Sequence, residues 1–164
     1  MKNKQVSSIL TEVTSIEARL GYTFKNRLLL QTALTHRSFA KQVRFKHLAD
    51  NEGLEFFGDA IMKFFVSKYL FTRSTQLSEG VLSKRRATMV SDHFFYQRAK
   101  ELSFDRYIRI SGSEKKSGGD QKVSILSCAF EAVIAAIYLD SDMTTVEEVL
   151  TRLYASFDET TLQE

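Results

Sequence analysis

Hydrophobic residues recur at spacings of three and four along most of this chain, which is the period of amphipathic α-helices. In its first half the pattern predicts two helices, a polar connector and a long apolar helix, over residues 7–20, 24–39, 40–50 and 52–72. Gly21 marks the break between the first two helices. Proline is absent and glycine occurs only seven times, so few residues interrupt the helices. The pattern therefore predicts an all-α fold.

The second half of the chain continues the helical pattern around one exception. Helices are predicted over residues 77–91, 92–103, 124–140 and 143–157. Ser91 is a candidate N-cap for the second of these, because a serine hydroxyl accepts hydrogen bonds from free backbone N–H groups. The exception is residues 106–122, where glycines and lysines cluster after a β-branched stretch. That composition predicts a mobile exposed loop.

Composition narrows the class of protein. The chain has 164 residues, of which 43% are hydrophobic and 26% charged, values that suit one compact domain with a real core. No uninterrupted apolar run has the length that a membrane span needs, and no signal-peptide core follows the first lysines. The single cysteine, Cys128, cannot form an internal disulfide. We therefore expect a cytoplasmic protein without a membrane partner, and the net charge of +3 permits a polyanionic partner.

Three carboxylates follow one edge of the long apolar helix, in the stretch NEGLEFFGDAIMKFF. At 100° per residue, Glu52, Glu55 and Asp59 fall within an arc of about 60°. A different face of the helix carries apolar residues that we expect to be buried, namely Leu54, Phe57, Ile61 and Phe64. On a later helix, Glu131 lies beside alanines that allow another helix to approach closely. We expect the Glu131 carboxylate to be partly buried.

Two explanations of these acids are open from spacing alone. Neighbouring like charges repel each other, and burial raises the cost, so such a group persists when a cation compensates it. Mg²⁺ is a hard cation that prefers carboxylate oxygens. Alternatively, acids in the first turn of a helix interact favourably with the macrodipole and need no metal when they are solvated.

The choice between a metal site and a solvated helix start is informed by a resemblance to a known protein family. The run NEGLEFFGDAI resembles the signature of the ribonuclease III family, in which asparagine, two glutamates, glycine and aspartate stand at fixed positions. The stretches LGYTFKNRLLLQTALTHRSF, SEGVLSKRRATMVS and SILSCAFEAVIAAIYLD are similar to further family segments. The resemblance covers residues 16–157 and implies the helical fold of the family's endonuclease domain. Residues 1–157 would form this catalytic domain, and residues 158–164 would begin the linker to a double-stranded-RNA-binding domain.

The resemblance also implies an activity. Members of this family are homodimers that cut both strands of double-stranded RNA during RNA processing and leave 5′-phosphate and 3′-hydroxyl ends. Glu55, Asp59 and Glu131 would be the catalytic residues and the ligands of Mg²⁺, for which Mn²⁺ can substitute. The residues expected beside the RNA are Glu52, Lys84, Arg86 and Lys122, although each basic one could equally be a solvated surface residue.

Phenylalanines are abundant, and we expect them in the core and at dimer contacts. Those considered are Phe56, Phe57, Phe64, Phe65, Phe94 and Phe95. A base-stacking role is less suitable, because an A-form duplex hides its base faces.

Two positions depart from the family pattern. Gly53 replaces an arginine that would balance the acids, and Cys128 replaces the aspartate expected three residues before Glu131. A thiol is a soft ligand and a poor partner for Mg²⁺. Cys128 is either a small buried residue or a lesion in the site. The alternative function is therefore a catalytically impaired or inactive dimeric RNA-binding relative with the same fold.

Overall fold

The computed structural model describes residues 15–42, 49–73 and 76–155. Its helices are α1 (residues 15–20), α2 (Arg27–Ala33), α3 (Arg37–Gln42), α4 (Glu52–Arg73), α5 (Glu79–Met89), α6 (Asp92–Glu101), α7 (Phe104–Tyr107), α8 (Gly112–Lys116), α9 (Val123–Asp140) and α10 (Met143–Ala155). A 3₁₀ turn spans Gly119–Gln121. Extended pairing in these ranges is limited to one bridge between Thr35 and Arg109. The prediction of an all-α fold is confirmed.

Helix α9 is the centre of the core. It is long and apolar enough to cross a membrane by length and composition. Most of it is nevertheless buried, because α4 and α6 pack along it and α2 and α10 add smaller contacts. Phe130 on α9 stacks on Phe95 of α6, with 5.4 Å between the ring centroids. Helix α9 is therefore the element against which the other helices are positioned.

Helices α4 and α9 touch backbone to backbone at one point. A β-carbon added at Gly58 would lie 2.0 Å from the carbonyl oxygen of Glu131. Only glycine permits such an approach, because every other residue carries that atom. The contact fixes Glu131 opposite the middle of the acidic edge of α4.

The predicted second helix is interrupted, and that prediction was wrong in its extent. Helix α2 ends at Ala33 and α3 begins at Arg37. Between them, the N–H of His36 donates to the carbonyl of Arg109 at 2.9 Å. The N–H of Asn51 donates to the carbonyl of Thr35, also at 2.9 Å. These long-range partners replace helical hydrogen bonds, which no local pattern reveals. Residues 43–48 of the predicted connector lie outside the described residues.

The predicted loop over residues 106–122 contains more regular structure than its composition suggested. Helix α8 and the 3₁₀ turn both lie within it. The hydroxyl of Ser111 accepts from the N–H of Glu114 at 3.1 Å and so caps α8. The Glu114 carboxylate in turn pairs with the Lys122 ammonium at 2.6 Å. Local capping and this ion pair explain why the segment folds despite its glycines.

The structure confirms one predicted helix start and contradicts one residue of the predicted buried face of α4. Ser91 caps α6 as predicted, accepting from the N–H of Phe94 at 3.2 Å. Phe64, which we expected on the buried face of α4, is 56% exposed. It lies about 120° round the helix from Gly58, where α9 packs, so it points away from the core. The predicted linker, residues 158–164, and the last two residues of the predicted final helix lie outside the described ranges.

Candidate active site

The structure brings Glu55, Asp59 and Glu131 into one neighbourhood. The first two lie one turn apart on α4, and Glu131 faces them from α9 across the close contact at Gly58. Glu131 is only 9% exposed. Within the described part of the chain it forms no ion pair and no side-chain hydrogen bond. A nearly buried carboxylate without a partner is costly unless a proton or a cation compensates its charge.

The electrostatics of Glu131 reflect this environment. Burial, together with the negative charges of Asp59, Glu55 and Asp92, raises the pKa of Glu131 to about 8. Lys63 opposes this shift only in part. Near neutral pH, Glu131 therefore holds a proton in the isolated chain. A divalent cation would favour the ionised carboxylate and displace that proton.

Cys128 lies one turn before Glu131 on α9 and is half-buried. Burial, a hydrogen bond to the Glu55 side chain and the nearby acids raise the pKa of the Cys128 thiol to about 12. The thiol is therefore protonated at neutral pH and donates its S–H to Glu55. The residue that stands in place of the expected aspartate thus lies in the site, but it contributes no charge there.

Asp59 is partly neutralised by its own helix. Its carboxylate pairs with the Lys63 ammonium at 2.7 Å, in an i,i+4 arrangement on the surface of α4. Among the described residues, no three side chains of His, Cys, Asp or Glu are arranged closely enough to hold a metal as they stand. The acids share a region of strong negative potential, with Glu55 bonded to Cys128 and Asp59 bonded to Lys63.

Asp92 is a further acid that the sequence did not single out. It is the first residue of α6, and its charge acts on both Glu131 and Cys128. In the sequence it follows the cap residue Ser91, where an acid is ordinary because it meets the positive end of the helix. No local signal separates that role from a place beside the site.

The residues predicted to contact RNA lie apart from one another. Glu52 pairs with Arg37 at 3.0 Å, and both side chains are exposed. Lys84 and Arg86 lie on α5, where the Arg86 guanidinium donates to the Ser67 hydroxyl at 3.2 Å.

Helix geometry shows how far the predicted basic residues lie from the three acids. Ser67 is eight residues beyond Asp59 on α4, which corresponds to about 12 Å at 1.5 Å per residue. Lys122 precedes α9 by one residue, nine positions before Glu131, and pairs with Glu114. The structure therefore brings the three acids together and leaves the predicted basic residues at separate places around them.

Comparison with known proteins assigns the fold to a class. A family model described as Ribonuclease-III-like matches residues 26–156. The chain therefore belongs to the ribonuclease-III-like family, as its signature resemblance predicted. It is 42% identical over 158 residues to Ribonuclease 3 of Helicobacter pylori strain 26695, a match that covers 93% of this chain and 64% of that protein. It is 44% identical over 135 residues to Ribonuclease 3 of Clostridium botulinum strain Eklund 17B, covering 82% of this chain and 57% of that protein.

Solved structures agree with this assignment. The nuclease domain of ribonuclease III from Campylobacter jejuni superposes with a TM-score of 0.80 at 40% identity, over 87% of this chain and 96% of that one. That structure is described as flexible in a region involved in dimer formation. Dicer from Pichia stipitis shares the fold, with a TM-score of 0.63 at 24% identity, over 87% of this chain and 62% of that one. The chain thus spans less than two thirds of the curated relatives' length and nearly all of a nuclease domain.

Proposed function

We propose that this chain is the nuclease domain of an endoribonuclease that cuts double-stranded RNA with the help of Mg²⁺ and leaves 5′-phosphate and 3′-hydroxyl ends. The observation that carries the proposal is Glu131, nearly buried and without a partner opposite Glu55 and Asp59. The family relationship and the 40–44% identity to proteins named Ribonuclease 3 support the reaction type.

The donor set suits the proposed metal in its chemistry. Glu55, Asp59 and Glu131 offer hard carboxylate oxygens, which Mg²⁺ prefers and which Mn²⁺ also accepts. They would hold the ion once Asp59 is released from Lys63 and Glu55 from Cys128. A bound Mg²⁺ supplies activation of a water molecule and stabilisation of the leaving oxygen in phosphodiester hydrolysis.

The chain's own groups set the conditions for that chemistry. The core packing around Glu131 keeps water from most of this residue, and the close contact with Gly58 sets the position of its backbone relative to α4. Lys63 pairs with Asp59 on the exposed edge of the site. The Cys128 thiol donates to Glu55 and so withdraws some of that carboxylate's capacity to bind a cation. The site therefore combines a suitable donor set with two competing interactions, the ion pair at Asp59 and the hydrogen bond at Glu55.

Substrate recognition is proposed from charge and shape. Lys84, Arg86 and Lys122 would contact phosphates of the duplex, and Glu52 would lie beside the strand near Arg37. Proteins recognise A-form RNA mainly through its backbone and its shallow groove. Such contacts weaken steeply as salt increases, because phosphate binding releases counterions.

A homodimer is proposed from the exposed face of α4. Phe56, Phe64 and Phe71 are 84%, 56% and 73% exposed and lie within about 80° of one another round the helix. A groove of about 500 Å³ adjoins this face between α4 and α5 and is lined by Phe64, Phe71 and Leu82. Exposed aromatic stripes of this kind mark interaction surfaces. A second copy of the chain is the partner that we propose for it, since a related nuclease domain is described as forming a dimer.

A second candidate function follows from Cys128. The missing carboxylate, together with the two competing bonds to Glu55 and Asp59, favours a relative that binds RNA and cuts it slowly or not at all. Both candidates share the fold and the proposed dimer. They differ only in turnover.

Cleavage of a long RNA duplex in Mg²⁺ tests the proposal, with the wild-type chain compared with Cys128→Asp. Restoring the carboxylate should raise the cleavage rate by at least tenfold, and Glu131→Gln should abolish cleavage in both backgrounds. Product ends should be substrates for 5′-phosphate-dependent exonuclease digestion. Absence of cleavage by both chains at high enzyme concentration with Mn²⁺ supplied would support the inactive relative instead.

A further inference from the structure

Three polar residues join the start of α3 to the start of α8. The N–H of Ser38 donates to Nδ1 of His36 at 3.3 Å, and the Ser38 hydroxyl oxygen lies 2.8 Å from the same nitrogen. That hydroxyl oxygen also accepts from the N–H of Ser111 at 3.0 Å. His36, Ser38 and Ser111 form what we call the α3–α8 junction. Since Ser111 caps α8, the junction attaches the first turn of that helix to α3.

The donors in the junction determine the protonation state of the His36 ring. A backbone N–H can only donate, so Nδ1 is an unprotonated acceptor and the ring proton lies on Nε2. The Ser38 hydroxyl therefore donates to Nδ1, and its oxygen lone pairs are directed to accept from Ser111. The orientation of the Ser38 hydroxyl thus depends on a neutral imidazole.

The place of His36 at a helix start adds to this dependence. His36 directly precedes α3, and its carbonyl accepts from the N–H groups of Phe39 and Ala40. Its ring accepts from the N–H of Ser38, as N-cap side chains do for the free N–H groups of a first turn. A positive charge at this end of a helix is unfavourable, because the macrodipole is positive there. Protonation of His36 would therefore remove a capping acceptor and add a charge of the wrong sign.

Charged groups from three helix regions face His36 within the described ranges. Burial has the largest effect on the ring and lowers the pKa of His36 below its ordinary value of 6.5. Glu114 of α8 acts in the opposite direction, as do Asp50 and Glu52 around the start of α4, whereas Arg37 of α3 also lowers the pKa. The ring is therefore neutral at pH 7, and the junction is formed at that pH.

We propose that the α3–α8 junction is a pH-sensitive attachment, which holds α8 to α3 while His36 is neutral and loosens when His36 binds a proton at Nδ1. That proton turns Nδ1 into a donor, so the Ser38 N–H loses its acceptor and the Ser38 hydroxyl hydrogen must turn away. The Ser38 oxygen is then shared between the new Nδ1–H and the N–H of Ser111. The attachment requires neither the proposed metal nor RNA.

The direction of the pH effect follows from the lowered pKa of His36. The folded chain releases the His36 proton more readily than the unfolded chain does. The stabilising effect of the junction is therefore fully present above pH 6.5 and is lost as the pH falls through the lower pKa of the folded state.

Hydrogen exchange of the Ser111 amide, followed by NMR between about pH 5 and about pH 8, tests the proposal. Protection factors are compared, because they remove the intrinsic pH dependence of exchange. In the wild type, the protection of Ser111 should fall at least about fivefold on acidification, as expected for the loss of one hydrogen bond. In His36→Asn the protection should not change with pH, because the asparagine oxygen accepts from the Ser38 N–H and does not titrate.

Two controls separate the junction from unfolding of the whole domain. The N–H of Phe94 donates to the Ser91 hydroxyl at 3.2 Å, in a helix cap without a titrating group. Its protection should not follow the pH profile of Ser111. His93→Asn removes an exposed histidine on α6 and should leave the Ser111 profile unchanged.

Titration of the His36 ring by NMR examines the same hydrogen bond from the other side. Ser38→Ala removes the hydroxyl donor that favours the neutral ring, so the pKa of His36 should rise toward 6.5. An unchanged pKa in this variant would overturn the proposal, whether or not His36→Asn folds.

The exchange profiles give two further outcomes that would overturn the pH-sensitive attachment. The first is a Ser111 protection factor that does not depend on pH in the wild type. The second is a profile that is equally steep in His36→Asn. A loss of protection confined to chains with histidine at position 36 is the result that we expect.

Discussion

Gly58 lies against the backbone of Glu131 so closely that a β-carbon on Gly58 would stand 2.0 Å from the Glu131 carbonyl oxygen and 2.5 Å from its carbon. Neither atom can move aside, because both belong to the backbone of the most buried helix. Gly58→Ala should therefore separate α4 from α9 and lower the free energy of unfolding by more than about 2 kcal/mol. Urea unfolding followed by circular dichroism measures this loss. Mn²⁺ binding should weaken as well, because Glu131 would move away from Glu55 and Asp59.

Gly53→Ala is the matched control on the same helix. A β-carbon at Gly53 would meet nothing within 4 Å. Because alanine has the higher helix propensity, this variant should be as stable as the wild type or more stable by up to about 1 kcal/mol. Equal stability of the Gly58 and Gly53 variants would show that the two helices are not locked by this contact.

Glu131 makes stability depend on pH. Its pKa is raised from 4.5 to about 8 on folding, by burial and by Asp59 and Glu55. Between these two values the folded chain retains a proton that the unfolded chain has lost. The free energy of unfolding should therefore fall as pH rises from about 4.5 to about 8, and level off above that. Glu131→Gln carries no titrating group and should lack this component.

Thermal unfolding of the two chains in EDTA at several pH values measures the difference. The gain of Glu131→Gln over the wild type should be greatest above pH 8 and should shrink as pH falls toward 4.5. A difference that is independent of pH would contradict a raised pKa for Glu131.

The helices that were predicted well are those with a clear apolar period and a local start signal. Helices α4 and α6 are of this kind, and Ser91 shows the value of a cap residue in the sequence. Helix α9 was predicted from its apolar residues alone, since no side chain caps its start. The break between α2 and α3 could not be foreseen, because the groups that replace the helical hydrogen bonds come from Arg109 and Asn51, far along the chain. Helix α8 was missed since its cap, Ser111, stands in a stretch rich in glycine and lysine.

The candidate site also contains residues that the sequence predicted and residues that it could not predict. Glu55 and Asp59 could be paired from helical spacing, and Glu131 was tied to them by family resemblance before the contact at Gly58 showed how the helices meet. In the structure Asp59 pairs with Lys63, and Glu55 accepts a hydrogen bond from Cys128. The first is an i,i+4 pair that spacing could have suggested, whereas the second links two helices. The sequence could not identify Asp92 as a residue whose charge acts on the site, because only tertiary packing brings α6 and α9 together.

Asp140 holds the turn before α2 to the end of α9. Its carboxylate accepts from the Tyr22 hydroxyl at 2.6 Å and from the backbone N–H groups of Lys25 and Asn26 at 2.7 and 2.8 Å. Burial would raise the pKa of Asp140, but these donors outweigh it and hold the pKa below its usual value. Asp140→Asn offers one accepting oxygen in place of two and should cost about 1–3 kcal/mol of stability at pH 7.

Chemical unfolding at pH 7 and at pH 3 checks this assignment. Because the pKa is lowered on folding, the advantage of the wild-type chain is present above the unfolded pKa of 3.8 and should decline as pH falls below it. Tyr22→Phe removes one of the three donors and should cost less than Asp140→Asn. A larger loss of stability for Tyr22→Phe than for Asp140→Asn would contradict the conclusion that the Asp140 carboxylate holds this turn.

The exposed phenylalanines of α4 give the last prediction. Phe64 and Phe71 are 56% and 73% exposed and line the groove between α4 and α5. If this face joins two copies, replacing both residues with aspartate introduces four carboxylates into one interface and removes its aromatic contacts. Such changes at the centre of an interface commonly cost at least about 2 kcal/mol, or about 30-fold in the dissociation constant.

Sedimentation equilibrium over a range of concentrations measures that constant directly. The double aspartate variant should sediment as a monomer at concentrations where the wild type is dimeric, with an unchanged helical circular dichroism spectrum. Leu139→Asp is the control, since Leu139 is 53% exposed on α9 and does not line the groove. That variant should remain dimeric, because a charge added outside the interface leaves the contact area intact. A wild-type chain that is monomeric throughout, or a variant that dimerises as well as the wild type, would remove this face from the interface.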